Sequence, residues 1–217
     1  MFDYAKAHGV RTGDNPAAWR GLHQYRFPIL RAIDKQHFSA MHYDDVPEFI
    51  RQLRTHQNRS TAAVALEFVI LTTTRSSETL RMRWDEVNWK QKLWIIPGER
   101  MKAGKEHRVP LSDRAMVLLE RQREHANGDA HVFTGYGRHL SRKSMIEFLR
   151  KNGIKVSVHG FRSTFRNWCG DKTQFDRETV ETCLAHQVGN EVERAYRTSD
   201  ALEKRRAVME AWAAYCG

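Results

Sequence analysis

Cysteine is scarce in this 217-residue chain: Cys169, Cys183 and Cys216 are odd in number and widely spaced. They outline neither a disulfide framework nor a zinc ribbon, and a reducing compartment is the default for such usage. Long apolar runs are also lacking. The most apolar stretch, Ala62 to Leu71, is interrupted by Glu67 and falls short of the ~20 residues that a membrane span needs. It reads as a buried helix. Met1 to Gly13 holds no signal-peptide core, and no internal repeat or low-complexity tract follows. Acidic residues are in deficit, 26 against 36 Lys and Arg, for a net charge of +10. No acidic tail offsets that excess, so a polyanion is a better-matched partner than an inert basic surface would need. An anionic membrane is a weaker option, because no long basic amphipathic helix stands out.

What is present is an ordinary globular composition, 41% hydrophobic and 29% charged, long enough for one large domain or one and a half small ones. Residues 2–8 suggest a short helix, broken by Gly9 and by Gly13-Asp14-Asn15-Pro16, with a second polar stretch running on through Pro28. Denser patterning begins at Tyr43. Asp44, Asp45 and Pro47 suit the exposed amides of a helix start, and that helix should end near His56. Ser60 caps the next helix, which turns Val64, Leu66, Phe68, Val69 and Leu71 inward. Leu93 to Ile96 and Arg108 to Leu111 flank a loop with Gly98 and Gly104, the pattern of a β-hairpin with a long tip. Ser112-Asp113 starts a helix to about Glu124, and further helices are expected at 141–151, 160–169, 176–185, 188–196 and 199–214. The fold class expected is mainly α with a small antiparallel β-sheet or hairpin (α+β).

One segment concentrates phosphate chemistry: His159-Gly160-Phe161-Arg162, then His186, then Tyr196 between Arg194 and Arg197. Breaking a phosphodiester with a side chain needs a nucleophile, fixed cations for the non-bridging oxygens, and an acid for the leaving oxygen. Arginine suits the second task because it stays charged and binds two oxygens at once. Tyrosine, with an ordinary pKa of roughly 10, needs cations or a base beside it to attack. His159 and Arg162, three apart at a helix start, share one face. Arg75 emerges at the end of an apolar helix with Glu78 within reach, and Lys102 lies on the hairpin tip. Each feature alone has a duller reading, as a surface pair, a half-buried tyrosine, a plain ion pair or a solvated lysine. Metal chemistry is disfavoured, since His107, His125, His131 and His139 have no ligand-like spacing and no H-E-x-x-H occurs. The Gly98 to Gly104-Lys105 stretch is no P-loop, with five intervening residues and Glu106 where Ser or Thr should stand.

In order, Arg75, Lys102, His159, Arg162, His186 and Tyr196 resemble the active-site series of tyrosine recombinases. The surrounding segments resemble P4-type prophage and genomic-island integrases: ALEFVILTTTRSSETLRMRWDEVNW, WIIPGERMKAGKEHRVPLS, HGFRSTFRNW, LAHQVGNEVERAYR and LEKRRAVMEAW. The resemblance covers about residue 40 to the end. It implies the tyrosine recombinase catalytic-domain fold over residues 22–217, with residues 1–21 as the tail of a core-binding domain and its linker. It further implies that Tyr196 attacks a duplex DNA phosphate to give a 3′-phosphotyrosyl link. Arg75 and Arg162 would clamp the non-bridging oxygens, with Glu78 supporting Arg75. Lys102 would be the general acid, His159 would assist proton transfer, and His186 would hydrogen-bond the phosphate. Neither metal nor other cofactor is implied. The implied partners are double-stranded DNA attachment sites, a directionality factor and a DNA-bending protein. A homotetramer on DNA is implied for the full-length protein, and this chain alone is expected to be a monomer. A cytoplasmic, nucleoid-associated location follows. The helix near 199–214, with Trp212 expected to be exposed, is the candidate for packing on a neighbouring protomer. Ser76-Ser77 departs from the Thr-Gly common after the first arginine, and Thr198 from an arginine common two places past the tyrosine. A type IB-like relaxing activity and a DNA-binding remnant or regulator remain open beside strand exchange.

Overall fold

The Ser60 hydroxyl accepts the backbone N–H of Ala63, and this cap starts the helix around which the fold is built. In the computed structural model, the described residues are 1–17, 39–57, 60–126, 128–135, 138–187, 189 and 199–217. They fall into two compact units, 1–37 and 38–217. In the first, helix α1 (Phe2–Ala7) is tied to the following turn by ion pairing of Lys6 with Asp14 at 2.7 Å.

The second unit holds the other elements. Helix α2 (Val46–His56) follows a short 3-10 turn at Tyr43–Asp45 and carries proline in its first turn, where no amide is missed. Helix α3 (Thr61–Thr72) is buried on nearly all sides rather than on one stripe: Ala63 through Thr72 are all shielded. Glu67, in the middle of that run, is wholly buried. It accepts from Arg54 at 3.0 Å and Arg114 at 2.8 Å, and from Gln57. Burial alone would push its carboxyl up, but these partners outweigh that and hold it below the ordinary carboxylate value. Helix α4 (Ser76–Leu80) then leads to a three-stranded antiparallel sheet of β1 (Val87–Asn88), β2 (Leu93–Ile96) and β3 (His107–Pro110). Trp94 pairs with Val87 on one side and Val109 on the other.

Helix α5 (Asp113–Glu124) is capped by Ser112. A two-residue ladder, β4 (Thr134–Gly135) with β5 (Arg138–His139), precedes helix α6 (Arg142–Lys151). Helices α7 (Gly160–Lys172), α8 (Arg177–Cys183) and α9 (Leu202–Cys216) complete the described chain. The α+β class expected from sequence is therefore the one observed. Strand β1 and the β4–β5 ladder are additions to it, and α8 stops two residues earlier than expected. The helix expected at 188–196 falls almost entirely outside the described residues.

One expectation is corrected. Trp212 is completely buried, not exposed. Its indole N–H donates to the Ile70 carbonyl of α3 at 2.8 Å, and its ring packs on Trp168 at 5.0 Å and Phe165 at 5.6 Å. Burial of so large an apolar ring contributes more than a surface contact would. Helix α9 is thus an integral layer of the core, and Trp212 offers nothing to a neighbour. No helix among the described residues is long and apolar enough to cross a membrane.

Candidate active site

Three chain segments meet at the site: the turn after α3, the start of α7 and the end of α8. The first is held by hydroxyls. Thr72 bonds Thr74 at 2.9 Å, and Thr74 bonds Thr79 at 2.7 Å, closing the turn on itself. Thr73, between them, adopts the left-handed conformation at φ 54°, unfavourable for a β-branched residue. Arg75 follows directly. The Glu78 carboxylate accepts both its backbone N–H, at 2.8 Å, and its guanidinium Nη1, at 2.7 Å. One buried carboxylate thereby fixes both ends of the residue, while the Arg75 side chain stays 24% exposed and able to meet a ligand.

Arg162 comes from the first turn of α7 and is buried. Its Nη1 donates to the Thr73 carbonyl, and its Nη2 to the Leu184 carbonyl at 2.6 Å. The guanidinium thus bridges the α3 turn to the α8 terminus. Desolvation, reinforced by the charge of Arg75, pushes its pKa down to about 10, so it remains a cation at neutral pH. His159 lies one turn earlier, at the helix cap, on the exposed side. Partial burial and the charges of Arg162, Arg75 and His186 hold its imidazole below the usual range.

His186 owes its place to the way α8 ends. The His186 N–H donates to the Glu181 carbonyl at 3.0 Å and the Ala185 N–H to the Thr182 carbonyl at 3.0 Å. Ala185 stands at φ 50°. These are the two bonds of a Schellman turn, with alanine where glycine is usual. The turn delivers the His186 ring to Arg162, with Nε2 3.2 Å from Nη2.

The structure brings Arg75, Glu78, His159, Arg162 and His186 together. Lys102 lies on the exposed turn between β2 and β3, and no hydrogen bond joins it to the other five among the described residues. Its loop is narrow, because a Cβ on Gly98 would lie 2.8 Å from the Gly104 carbonyl oxygen. Arg100 secures the base of the loop, donating to the Glu78 carbonyl at 2.8 Å. Tyr196 lies outside the described residues.

Sequence reasoning missed several participants. Glu181, buried on α8, accepts from His186 Nδ1 at 2.6 Å. His107, considered only as a metal ligand, is buried beside the site. Desolvation and the charges of Arg205, Arg162 and Arg75 push its pKa down to about 3. Arg205 on α9 is wholly buried and pairs with Asp200 at 2.9 Å, as does Arg108 at 2.6 Å. A cleft of about 310 Å³ next to His186 is lined by His107, Arg108, Asp200 and Arg205. The nearest sequence signal was the position of Glu181, five places before His186 and close to it across a helix end. Among the described residues, no group of three His, Cys, Asp or Glu side chains could hold a metal ion. The chemistry on offer is the two guanidiniums of Arg75 and Arg162 with the imidazoles of His159 and His186 near them, the carboxylates of Glu78 and Glu181 being engaged with Arg75 and His186.

A helical domain with a small antiparallel sheet is also the fold of solved site-specific recombinases. A lambda integrase tetramer bound to a Holliday junction superposes with a TM-score of 0.57, at 15% identity, over 89% of this chain and 55% of that one. The XerH recombinase bound to its difH substrate gives 0.55, at 17% identity, over 78% and 53%. The chain belongs to the phage integrase family, whose model matches residues 39–203. Prophage integrase IntA of Escherichia coli K12 is 32% identical over 185 residues, spanning 82% of this chain and 44% of IntA. The integrase of Enterobacteria phage P4 is 32% identical over 206 residues, spanning 86% of this chain and 47% of that protein. The chain therefore spans about half the length of these relatives.

Proposed function

We propose that residues 22–217 are the catalytic domain of a site-specific DNA integrase that cuts and rejoins duplex DNA through a 3′-phosphotyrosyl intermediate. In the same reading, residues 1–21 are the tail of a core-binding domain. The observation that carries the proposal is the convergence of Arg75, Arg162, His159 and His186 from three distant segments on one edge. Such a cluster stabilises the charge that develops on a phosphorus centre as oxygen attacks.

In this reading, Tyr196 attacks phosphorus and the DNA 5′-oxygen leaves. Arg75 and Arg162 hold the two non-bridging oxygens. The Arg162 Nη2 hydrogen now directed at His186 turns to the phosphate. Partial burial, with its cationic neighbours, holds the His159 imidazole below its ordinary pKa, which suits a group that takes a proton near the phenol. Lys102, on its loop, supplies the proton to the leaving 5′-oxygen. The phosphotyrosine conserves the bond energy, so a 5′-hydroxyl can reverse the step on the same or a new strand. The net charge of +10 supports duplex DNA as the partner. The likeness to a lambda integrase tetramer bound to a Holliday junction supports assembly of four protomers on attachment sites. An accessory directionality factor and a DNA-bending protein complete the proposal, and this chain alone is a monomer.

A nicked duplex, from which the strand 3′ of the cut diffuses away, tests this reading. Wild-type protein should accumulate a covalent DNA complex that Tyr196→Phe does not form. Binding without any covalent complex would favour a DNA-binding regulator. A covalent complex that relaxes supercoils but never joins a new partner would favour a type IB-like activity.

A further inference from the structure

Glu181 has no role in the reading above, yet it is buried and engaged at the site by two cationic or donor groups. It is 9% exposed. Its Oε2 lies 2.6 Å from His186 Nδ1 and its Oε1 2.6 Å from Arg166 Nε. Burial alone would raise its carboxyl, but the His186 bond and the charges of Arg166 and Arg177 outweigh it and hold the group below its ordinary value. It is therefore an ionised acceptor at neutral pH. A carboxylate without a proton can only accept, so the Nδ1 of His186 must donate. That leaves Nε2 as the atom facing Arg162, at 3.2 Å.

The backbone reinforces this choice. Glu181 and His186 are the two ends of the Schellman turn, with the His186 N–H on the Glu181 carbonyl at 3.0 Å. The same pair is thus joined twice, once through the main chain and once through side chains. The ring is thereby held by its Nδ1 edge against the carboxylate. Behind Glu181, Arg166 is half exposed on α7, the helix that carries Arg162.

We propose that Glu181 is the positioning residue of His186. It fixes the ring with Nδ1 as the donor to Glu181, so that Nε2 is the atom left to address Arg162 and the bound phosphate. When Nε2 carries a hydrogen, the ring can donate it to a non-bridging oxygen in a hydrogen bond while Glu181 holds Nδ1. This deepens the recombinase reading and rests on it for the phosphate. The ring lock itself is independent of any substrate.

The test pairs two variants with two readouts. Glu181→Gln keeps an oxygen that can accept from Nδ1, whereas Glu181→Leu removes it. Histidine ¹⁵N NMR of the chain, with His186 assigned through His186→Gln, should show a single Nδ1–H form in wild type and in E181Q. A mixture of tautomers should appear in E181L. Single-turnover cleavage of the nicked duplex should fall about 10–100-fold in E181L, by analogy with loss of the hydrogen-bond partner of a metal-ligating histidine, and less in E181Q. If Glu181 served only as the counter-ion of Arg166, both variants would lose the same activity, and that outcome overturns the proposal. An Nε2–H form in wild type overturns it without any variant, even if E181L fails to fold. Absence of cleavage by wild type would count against the recombinase reading alone, since the NMR result decides the ring lock separately.

Discussion

The guanidinium of Arg162 donates to the carbonyl of Thr73, 89 positions earlier in the chain. That carbonyl faces the arginine because Thr73 takes the left-handed conformation at the end of α3. The same arginine holds the last carbonyl of α8 through Leu184. A residue proposed to bind DNA is thus also the pin that fixes the site's three segments.

Replacing this pin should have a cost apart from catalysis. Arg162→Lys keeps the charge but has one nitrogen, which cannot reach both carbonyls in the planar fork geometry of arginine. Leaving one buried carbonyl unpaired should lower stability by about 1–3 kcal/mol. Urea denaturation without DNA measures it, and an unchanged midpoint would show that the carbonyls find other partners.

Ala185 sits where the Schellman turn favours glycine, at φ 50°. A left-handed non-glycine residue costs about 1–2 kcal/mol, partly offset by the greater flexibility of glycine in the unfolded chain. Ala185→Gly should therefore raise stability, by about 0.5–1 kcal/mol, seen as a higher Tm. Histidine NMR should find the His186 ring unchanged.

The buried His107 makes stability depend on pH. Its folded pKa is depressed to about 3, against an ordinary value of 6.5. The folded state therefore keeps the ring neutral while the unfolded state takes up a proton. Its contribution is fully present above about pH 6.5 and is lost progressively as pH falls toward about 3, with a slope near 1.4 kcal/mol per pH unit. His107→Leu should remove that portion of the slope in denaturation curves taken between those limits. Curves that remain parallel would assign the acid sensitivity elsewhere.

Trp212 supplies a fourth prediction. Its complete burial against α3 and α7 means that Trp212→Ala should cost about 3–5 kcal/mol, as for other large-to-small core changes. Thermal denaturation measures it. Loss of protomer association with no loss of stability would contradict the buried placement.

Much of the fold was legible because local chemistry and tertiary structure agree. Ser60, Ser112 and Asp176 each accept a backbone N–H at the helix starts where the sequence placed or implied them. The apolar run Leu93 to Ile96 is strand β2, as expected. Strand β1 was not legible, because two residues carry no pattern and their strand character comes from pairing with β2. The end of α8 was obscured because no glycine marks the left-handed position at Ala185. The side of α9 that faces inward was misread at Trp212, since the packing partner, Ile70 on α3, is 142 positions away. Spacing and chemistry singled out Arg75, His159, Arg162 and His186, but only the folded chain shows the carbonyls and the Glu181 carboxylate that hold them.

The account stands most directly on which atom of the protein becomes joined to DNA. Covalent complex trapped on the nicked duplex should be digested and its peptides sequenced by mass spectrometry. The account predicts a nucleotide on the phenolic oxygen of Tyr196, attached through a 3′-phosphate. An adduct on any other residue, or on a 5′-phosphate, would contradict it.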